Sequence, residues 1–302
     1  MAKRIHQMTI REWEAAFPTE DACADYLVRH RWPTGVICPR CGKPVTHPVS
    51  TMPYRWQCYA CAPGSGYRFS HIAGTIFENT NKPLRDWFRV LHMMLTSKKG
   101  VSALQVKRVM GFGSYQTAWY MCHRLRAGLA NEEFRRLVGI VEVDETYVGG
   151  KAKNRHRRPD DDDDNETGRS TKRKTAVIGA VQRKGNVVAR VISRADRRTI
   201  MRFITETVST KVSLIAHDDF PSYRMMPEHL PHGVVNHSAR QYVVGAIHTN
   251  TIEGFWSLVK RGVVGTYHKV SRKYLPLYVA EFQFRYNNRE NSNIFSEAIK
   301  GC

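Results

Sequence analysis

The stretch VGIVEVDETYVGG, residues 138–150, is β-branched, apolar and closed by a Gly pair, the pattern of a strand buried at the centre of a sheet. Three acids interrupt it: Glu142, Asp144 and Glu145. A carboxylate near the end of a buried strand is costly unless a cation or another partner meets it. The strand therefore predicts a sheet-based domain with a charged partner at the strand's end.

Working outward, KTAVIGAVQRKGNVVARVI (174–192) reads as two strands joined through a turn containing Lys184-Gly185-Asn186. ADRRTIMRFITETV (195–208) is an amphipathic helix. VSLIAHDD (212–219) is a second buried-looking strand that again ends in acids and is stopped by Pro221, and HGVVNHS (232–238) is a fifth short strand. In HTNTIEGFWSLVKRG (248–262), Ile252, Phe255, Trp256 and Val259 recur at i, i+3, i+4 and i+7, one apolar stripe of a helix. Glu253 sits beside that stripe, and Lys260, nearly two turns later, projects from the same edge. One reading makes Asn250 the N-cap, Glu253 the closing acid of a capping box and Lys260 a solvated charge. These elements describe an α/β fold, a mixed sheet with helices on its faces.

Acids thus fall at Asp144 after the first strand, Asp218 after the fourth and Glu253 on the following helix. If the first and fourth strands are neighbours, the carboxylates converge. Three such groups repel and raise one another's pKa unless a hard divalent metal binds them, and Mg²⁺, or Mn²⁺ in its place, suits oxygen ligands. Two ions about 3.5–4 Å apart suit in-line displacement at a phosphodiester. Asp219 competes with Asp218, and Glu142 and Glu145 compete with Asp144.

Charge names the partner. The 302 residues carry 47 Lys+Arg against 27 Asp+Glu, a net charge of +20, and a pI near 9.9. That surplus points to an anionic polymer, nucleic acid before a membrane surface. No apolar run reaches the roughly 18–20 residues of a membrane span, and the start lacks a signal-peptide core, so a cytoplasmic protein is expected.

Four of the seven cysteines form CPRCG (38–42) and CYAC (58–61), a C-x2-C-x16-C-x2-C array. Cys38, Cys41, Cys58 and Cys61 can close a tetrahedral thiolate shell around zinc with no open position, a structural zinc ribbon. Cys23 and Cys122 fall on apolar helix sides as buried thiols. Residues 9–31 read as two short helices capped by Thr9 and Thr19, and 84–95 as a helix after Pro83. Helices follow from Ser102 to Met110 and from Ser114 to Leu129, parted by GFG. Helix, glycine turn, helix is the helix-turn-helix outline, shared with ordinary αα-hairpins; the basic surplus favours DNA contact. The second helix is expected to bury Ala118, Trp119, Cys122 and Leu125 and to show His123, Arg124 and Arg126, with Gln116 and Arg124 as candidate DNA contacts. Residues 151–174, with Asp160 to Asp164 between basic blocks, read as a mobile loop without a catalytic role.

Taken together, CPRC…CYAC, AGTIFENTNKPLRDWF (73–88), VEVDETYVGG, HDDFPSY (217–223), HTNTIEGFWSLVKRGVVGTYHKVS (248–271) and EFQFRYNNR (281–289) resemble bacterial insertion-sequence transposases of the DDE type. In that group a zinc ribbon precedes an RNase H-like catalytic domain. The resemblance implies Asp144, Asp218 and Glu253 as metal-binding catalytic acids and Lys260 as the following basic residue. It prefers Asp218 over Asp219 because Asp218 and Tyr223 resemble the family's D-x4-Y spacing. It leaves Asn250 as a cap or outer contact, since Glu253 completes the set. It further implies hydrolysis and strand transfer at terminal inverted repeats, double-stranded DNA at transposon ends and target as partner, and a homodimer or larger synaptic assembly. The expected layout is N-terminal helices (1–35), zinc ribbon (36–75), helix-turn-helix-like region (76–132) and RNase H-like domain (133–302) with the charged insertion 151–174. Two other readings stand beside it: a DNA-binding protein that no longer cleaves, and another RNase H-like nuclease.

Overall fold

The computed structural model describes residues 9–130, 136–149, 174–219, 221–223, 226–227, 230–235 and 247–302. The expected charged loop lies almost wholly outside these. The chain divides into two units: Met1–Glu132 with Asn288–Cys302, and Glu133–Asn287.

The first unit opens with α1 (Ile10–Ala16) and α2 (Glu20–Arg31), capped by Thr9 and Thr19. Thr9 and Glu12 form a reciprocal capping box. β1 (Arg55–Cys58) and β2 (Tyr67–Ser70) pair antiparallel. Trp32, Trp56 and Phe69 pack into a small core that includes Cys38 and Cys58. After α3 (Leu84–Thr96) come α4 (Ala103–Met110) and α5 (Tyr115–Leu129), capped by Ser102 and Ser114. Gly111 ends α4 in the left-handed region at φ 67°, where a side chain is disfavoured.

Along α5 the expected faces need correction. Ala118, Cys122 and Leu125 are buried, but Trp119 is only half-buried, and His123 and Arg126 are buried with Met121. The buried sector is wider than the apolar letters imply, because Arg126 is covered along its whole length at 2% exposure.

The second unit contains β3 (Leu137–Val148), β4 (Thr175–Gln182), β5 (Val187–Ile192), α6 (Arg197–Thr207), β6 (Val208–Asp218), β7 (His232–Val235), α7 (Asn250–Gly262) and α8 (Leu275–Asn287). Its sheet runs β5-β4-β3-β6-β7. β3 pairs antiparallel with β4 and parallel with β6, and β6 runs parallel to β7. This is the expected α/β mixed sheet with flanking helices, and the first and fourth strands are indeed neighbours. β6 starts directly at the end of α6, four residues earlier than the sequence pattern suggests, and positions 236–238 of the expected fifth strand lie outside the described residues.

Each face of the sheet has its own core. Val141, Val143, Ile178, Ala180 and Ile215 pack with Ile200, Phe203 and Ile204 of α6. Val148, Val177, Val181 and Val187 pack with Ile252, Phe255, Trp256 and Val259 of α7 and with Leu275, Val279 and Phe282 of α8. Fully burying such a side chain contributes about 1.5–3 kcal/mol, so the predicted stripe of α7 is what holds that helix on the sheet. α8 also covers the β5 edge: the Val187 N–H donates to Asn287 Oδ1 at 2.8 Å and the Ala189 N–H to Gln283 Oε1 at 2.9 Å. An uncovered strand edge invites pairing with another chain.

The last helix, α9 (Ile294–Lys300), packs in the first unit, whereas the sequence layout runs the catalytic domain to 302. Its Phe295 ring meets those of Phe17, Tyr26 and Phe88. Among the described residues no helix is long and apolar enough to cross a membrane.

Candidate active site

β3 and β6 run parallel with Glu142 opposite Ala216, so two residues further on Asp218 closes β6 beside Asp144. Asp144 lies within β3, which continues to Val148, and not after it where the sequence pattern places it. Carboxylate oxygens of Asp144, Glu145 and Asp218 all lie within 4.8 Å of one another. Two oxygens held by one Mg²⁺ at about 2.1 Å stand about 3 Å apart when adjacent and about 4.2 Å apart when opposite. The cluster therefore fits a hard divalent cation after a small closure. Asp219 is exposed beside it.

The electrostatics agree with an ion-binding site. Burial, then the charges of Glu145 and Asp218, push the Asp144 carboxyl up to about 8, with Glu253 adding a smaller push. Burial, then Asp218, raises Glu145 to about 7 against the hydrogen bond from Tyr223. Without a cation these acids resist ionising together.

Glu253 sits exposed on the first turns of α7, within electrostatic reach of Asp144 but outside the tight three-acid group. Thr249 Oγ1 donates to Glu253 Oε1 at 2.8 Å. Lys260 is exposed two turns further along α7. The capping-box reading of this helix is corrected: the N-cap is Thr249, not Asn250, and no cap side chain bonds the helix backbone. That role falls to Glu142.

Glu142 is completely buried on β3, on the same strand face as Asp144. Its carboxylate accepts the N–H groups of Thr251 at 2.7 Å and Ile252 at 3.0 Å, and the Thr251 hydroxyl at 2.8 Å. Arg183 Nε donates to it at 2.7 Å, and His248 Nδ1 lies 3.2 Å away. Arg183 also donates to the His248 carbonyl at 3.1 Å. An anion at a helix N-terminus satisfies orphan N–H donors and meets the positive end of the helix dipole. Glu142 thus fixes the start of α7, and with it the height of Glu253 over the sheet. Close approach is allowed by Gly179, opposite Asp144 on β4: a Cβ there would lie 2.6 Å from Cζ2 of Trp256.

In the first unit the sulfur atoms of Cys38, Cys41, Cys58 and Cys61 lie within 4.8 Å of one another. Cys38 Sγ is 3.6 Å from Cys61 Sγ, and Cys41 Sγ is 3.7 Å from Cys58 Sγ. Four thiolates about 2.3 Å from zinc form a tetrahedron with edges of about 3.8 Å. The four cysteines match a structural zinc site with no open position.

On α5, Gln116 is exposed in the first turn. Arg124 is partly buried: its Nη2 donates to the Glu78 carbonyl at 2.8 Å, and its guanidinium lies over the Trp87 ring at 5.4 Å.

The family model of the ISXO2-like transposase domain matches residues 136–287. The chain belongs to this transposase family. A second model, of the transposase zinc-ribbon domain, matches residues 18–63, which include all four ligand cysteines. This transposase is 26% identical over 279 residues to an uncharacterized protein in transposable element ISH50 of Halobacterium salinarum, covering 89% of this chain and 91% of that one. Among solved structures it is similar to a chain of the simian T-cell lymphotropic virus intasome in complex with PP2A regulatory subunit B56 gamma. That likeness has 14% identity and a TM-score of 0.31 over 66% of this chain, spanning 65% of that chain's length, under two thirds, and is too distant to bear on the fold.

Proposed function

We propose that this transposase catalyses metal-dependent phosphodiester hydrolysis and strand transfer at transposon terminal inverted repeats. The observation that carries the proposal is the convergence of Asp144, within β3, and Asp218, at the end of the parallel β6. Asp144 and Asp218 would hold Mg²⁺, or Mn²⁺ in its place, with Glu253 on α7 as the third acid. Bound there, a pair of divalent ions supplies charge stabilisation to the attacking and leaving oxygens of an in-line displacement.

The chain's own groups do the positioning. Glu142 and Arg183 set α7, Thr249 orients the Glu253 carboxylate, and the apolar stripe holds the helix down. Lys260, exposed on the same helix, holds a phosphate of the DNA. Gln116 at the start of α5 contacts the duplex. Arg124 joins it with the donors left over from Glu78, since a guanidinium has five. The zinc ribbon keeps the N-terminal unit folded for end recognition. Bringing two transposon ends together requires a homodimer or a larger assembly.

The test is incubation of the purified protein with Mg²⁺ or Mn²⁺ and a duplex ending in the element's terminal repeat. A nick at the repeat, followed by joining of the freed 3′-hydroxyl to target DNA, is expected. Cleavage without joining would instead indicate another RNase H-like nuclease. Binding without a nick would indicate a DNA-binding protein that no longer cleaves.

A further inference from the structure

We infer that Glu145 is a fourth metal-binding acid of this centre and that Tyr223 is the residue that positions it. The inference rests on the reading of Asp144 and Asp218 as metal ligands, and it adds residues that this reading does not use. Side chains alternate along β3, so Glu142 and Asp144 face α7 while Glu145 leaves on the opposite side. Its strand partner there is Ile178, a member of the core under α6. A carboxylate has no reason to stand among those side chains, yet one of its oxygens lies within 4.8 Å of ligand oxygens from both Asp144 and Asp218. β6 ends at Asp218, so Glu145 reaches the cluster at the strand's end.

Tyr223 explains how that placement is held. Its hydroxyl donates to Glu145 Oε2 at 2.9 Å. The ring is completely buried in the α6 core and stacks on His217 with centroids 4.7 Å apart. The imidazole is fixed in turn, with Nδ1 2.7 Å from the Asp218 carbonyl oxygen. The phenol is thus aimed by packing rather than by choice of rotamer. A carboxylate offers about four lone-pair sites, so the bond from Tyr223 leaves room for a cation. The spacing of five between Asp218 and Tyr223 puts a ligand and the support of another ligand on one short segment.

A simpler role for Glu145 would be to accept the hydrogen bond of a buried phenol. A neutral acceptor does that without cost, whereas a third carboxylate beside Asp144 and Asp218 repels both. The two roles predict opposite results. If Glu145 binds metal, Glu145→Gln lowers Mn²⁺ affinity while the metal-free protein keeps its melting temperature, because the amide oxygen still accepts from Tyr223. If Glu145 only satisfies Tyr223, the amide oxygen of Gln accepts the same hydrogen bond and Mn²⁺ affinity stays.

The experiment is Mn²⁺ titration of the full chain, followed by the electron paramagnetic resonance of the free ion, alongside metal-free melting curves. Wild type is compared with Asp144→Asn, Asp218→Asn, Glu145→Gln and Tyr223→Phe. Tyr223→Phe keeps the ring in the core and removes only the hydroxyl. It should weaken Mn²⁺ binding roughly 10-fold, and Glu145→Gln by about 10- to 100-fold, the range found when ligands or their outer partners are altered. Loss of binding in Asp144→Asn and Asp218→Asn with wild-type affinity in Glu145→Gln and Tyr223→Phe overturns the inference and leaves the metal centre standing. Wild-type affinity in all four variants overturns both.

Discussion

The Glu142 carboxylate accepts the backbone N–H of Thr251 at 2.7 Å, joining the middle of the central strand to the first turn of a helix 109 residues later. This contact sets the helix that carries Glu253 and Lys260 against the strand that carries Asp144. Removing it leaves Arg183 and two helix N–H groups without their buried anion. Glu142→Ala is expected to destabilise the second unit by about 3–5 kcal/mol, the cost of breaking a buried pair from one side. Urea unfolding followed by fluorescence, with Trp256 in the affected core, measures it. A loss under about 1 kcal/mol, the scale of an exposed pair, would mean that the contact does not hold the helix.

Gly179 allows the same helix to lie close. Gly179→Ala puts a methyl group 2.6 Å from the Trp256 ring and 3.2 Å from Ile252 Cδ1. Overpacking of this kind costs about 1–3 kcal/mol. Equal melting temperatures for variant and wild type would show that the helix stands off the sheet.

The acids give the metal-free protein a pH dependence of definite sign. Asp144 is raised from 3.8 to about 8, and Glu145 from 4.5 to about 7. Their folded state keeps protons that the unfolded state has lost, so the contribution to stability is full below about pH 4 and is lost as pH rises through about 8. Metal-free wild type should lose melting temperature across that window, and Asp144→Asn should lose less. Mn²⁺ should restore more stability at pH 8 than at pH 6, because binding displaces the retained proton, at roughly one per site near neutrality. Parallel pH profiles for the two proteins would contradict this.

Different parts of the fold were legible to different degrees. The zinc ribbon is a local pattern, four cysteines at fixed spacing, and needs no tertiary partner to be read. The strands and the stripe of α7 follow from periods of 2 and 3.6, and the acids in the two strands stand out because apolar runs have no use for them, although the pattern places Asp144 after a strand that in fact continues to Val148. Glu142 was legible as an anomaly but not as a helix cap, since its partners are backbone groups 109 and 110 positions away. Glu145 was legible as a competitor of Asp144 but not as its companion, since alternation assigns the two to opposite faces. On α5, His123 and Arg126 are buried against the usual preference of their types, which only packing decides.

The ribbon predicts a metal content. The purified chain should carry about one tightly held zinc ion, and Cys58→Ser should lose it, together with the fold of residues 38–61 and the recognition of transposon ends. Elemental analysis that finds no zinc in the wild-type protein would contradict the four-cysteine site.

The most direct measurement of the central claim is Mg²⁺-dependent nicking of a transposon-end duplex by Asp144→Ala, Asp218→Ala and Glu253→Ala, with binding to the same duplex followed in parallel. Each variant is predicted to bind and to leave the DNA intact, while wild type nicks it. Nicking at the wild-type rate in all three variants would contradict the assignment of these acids.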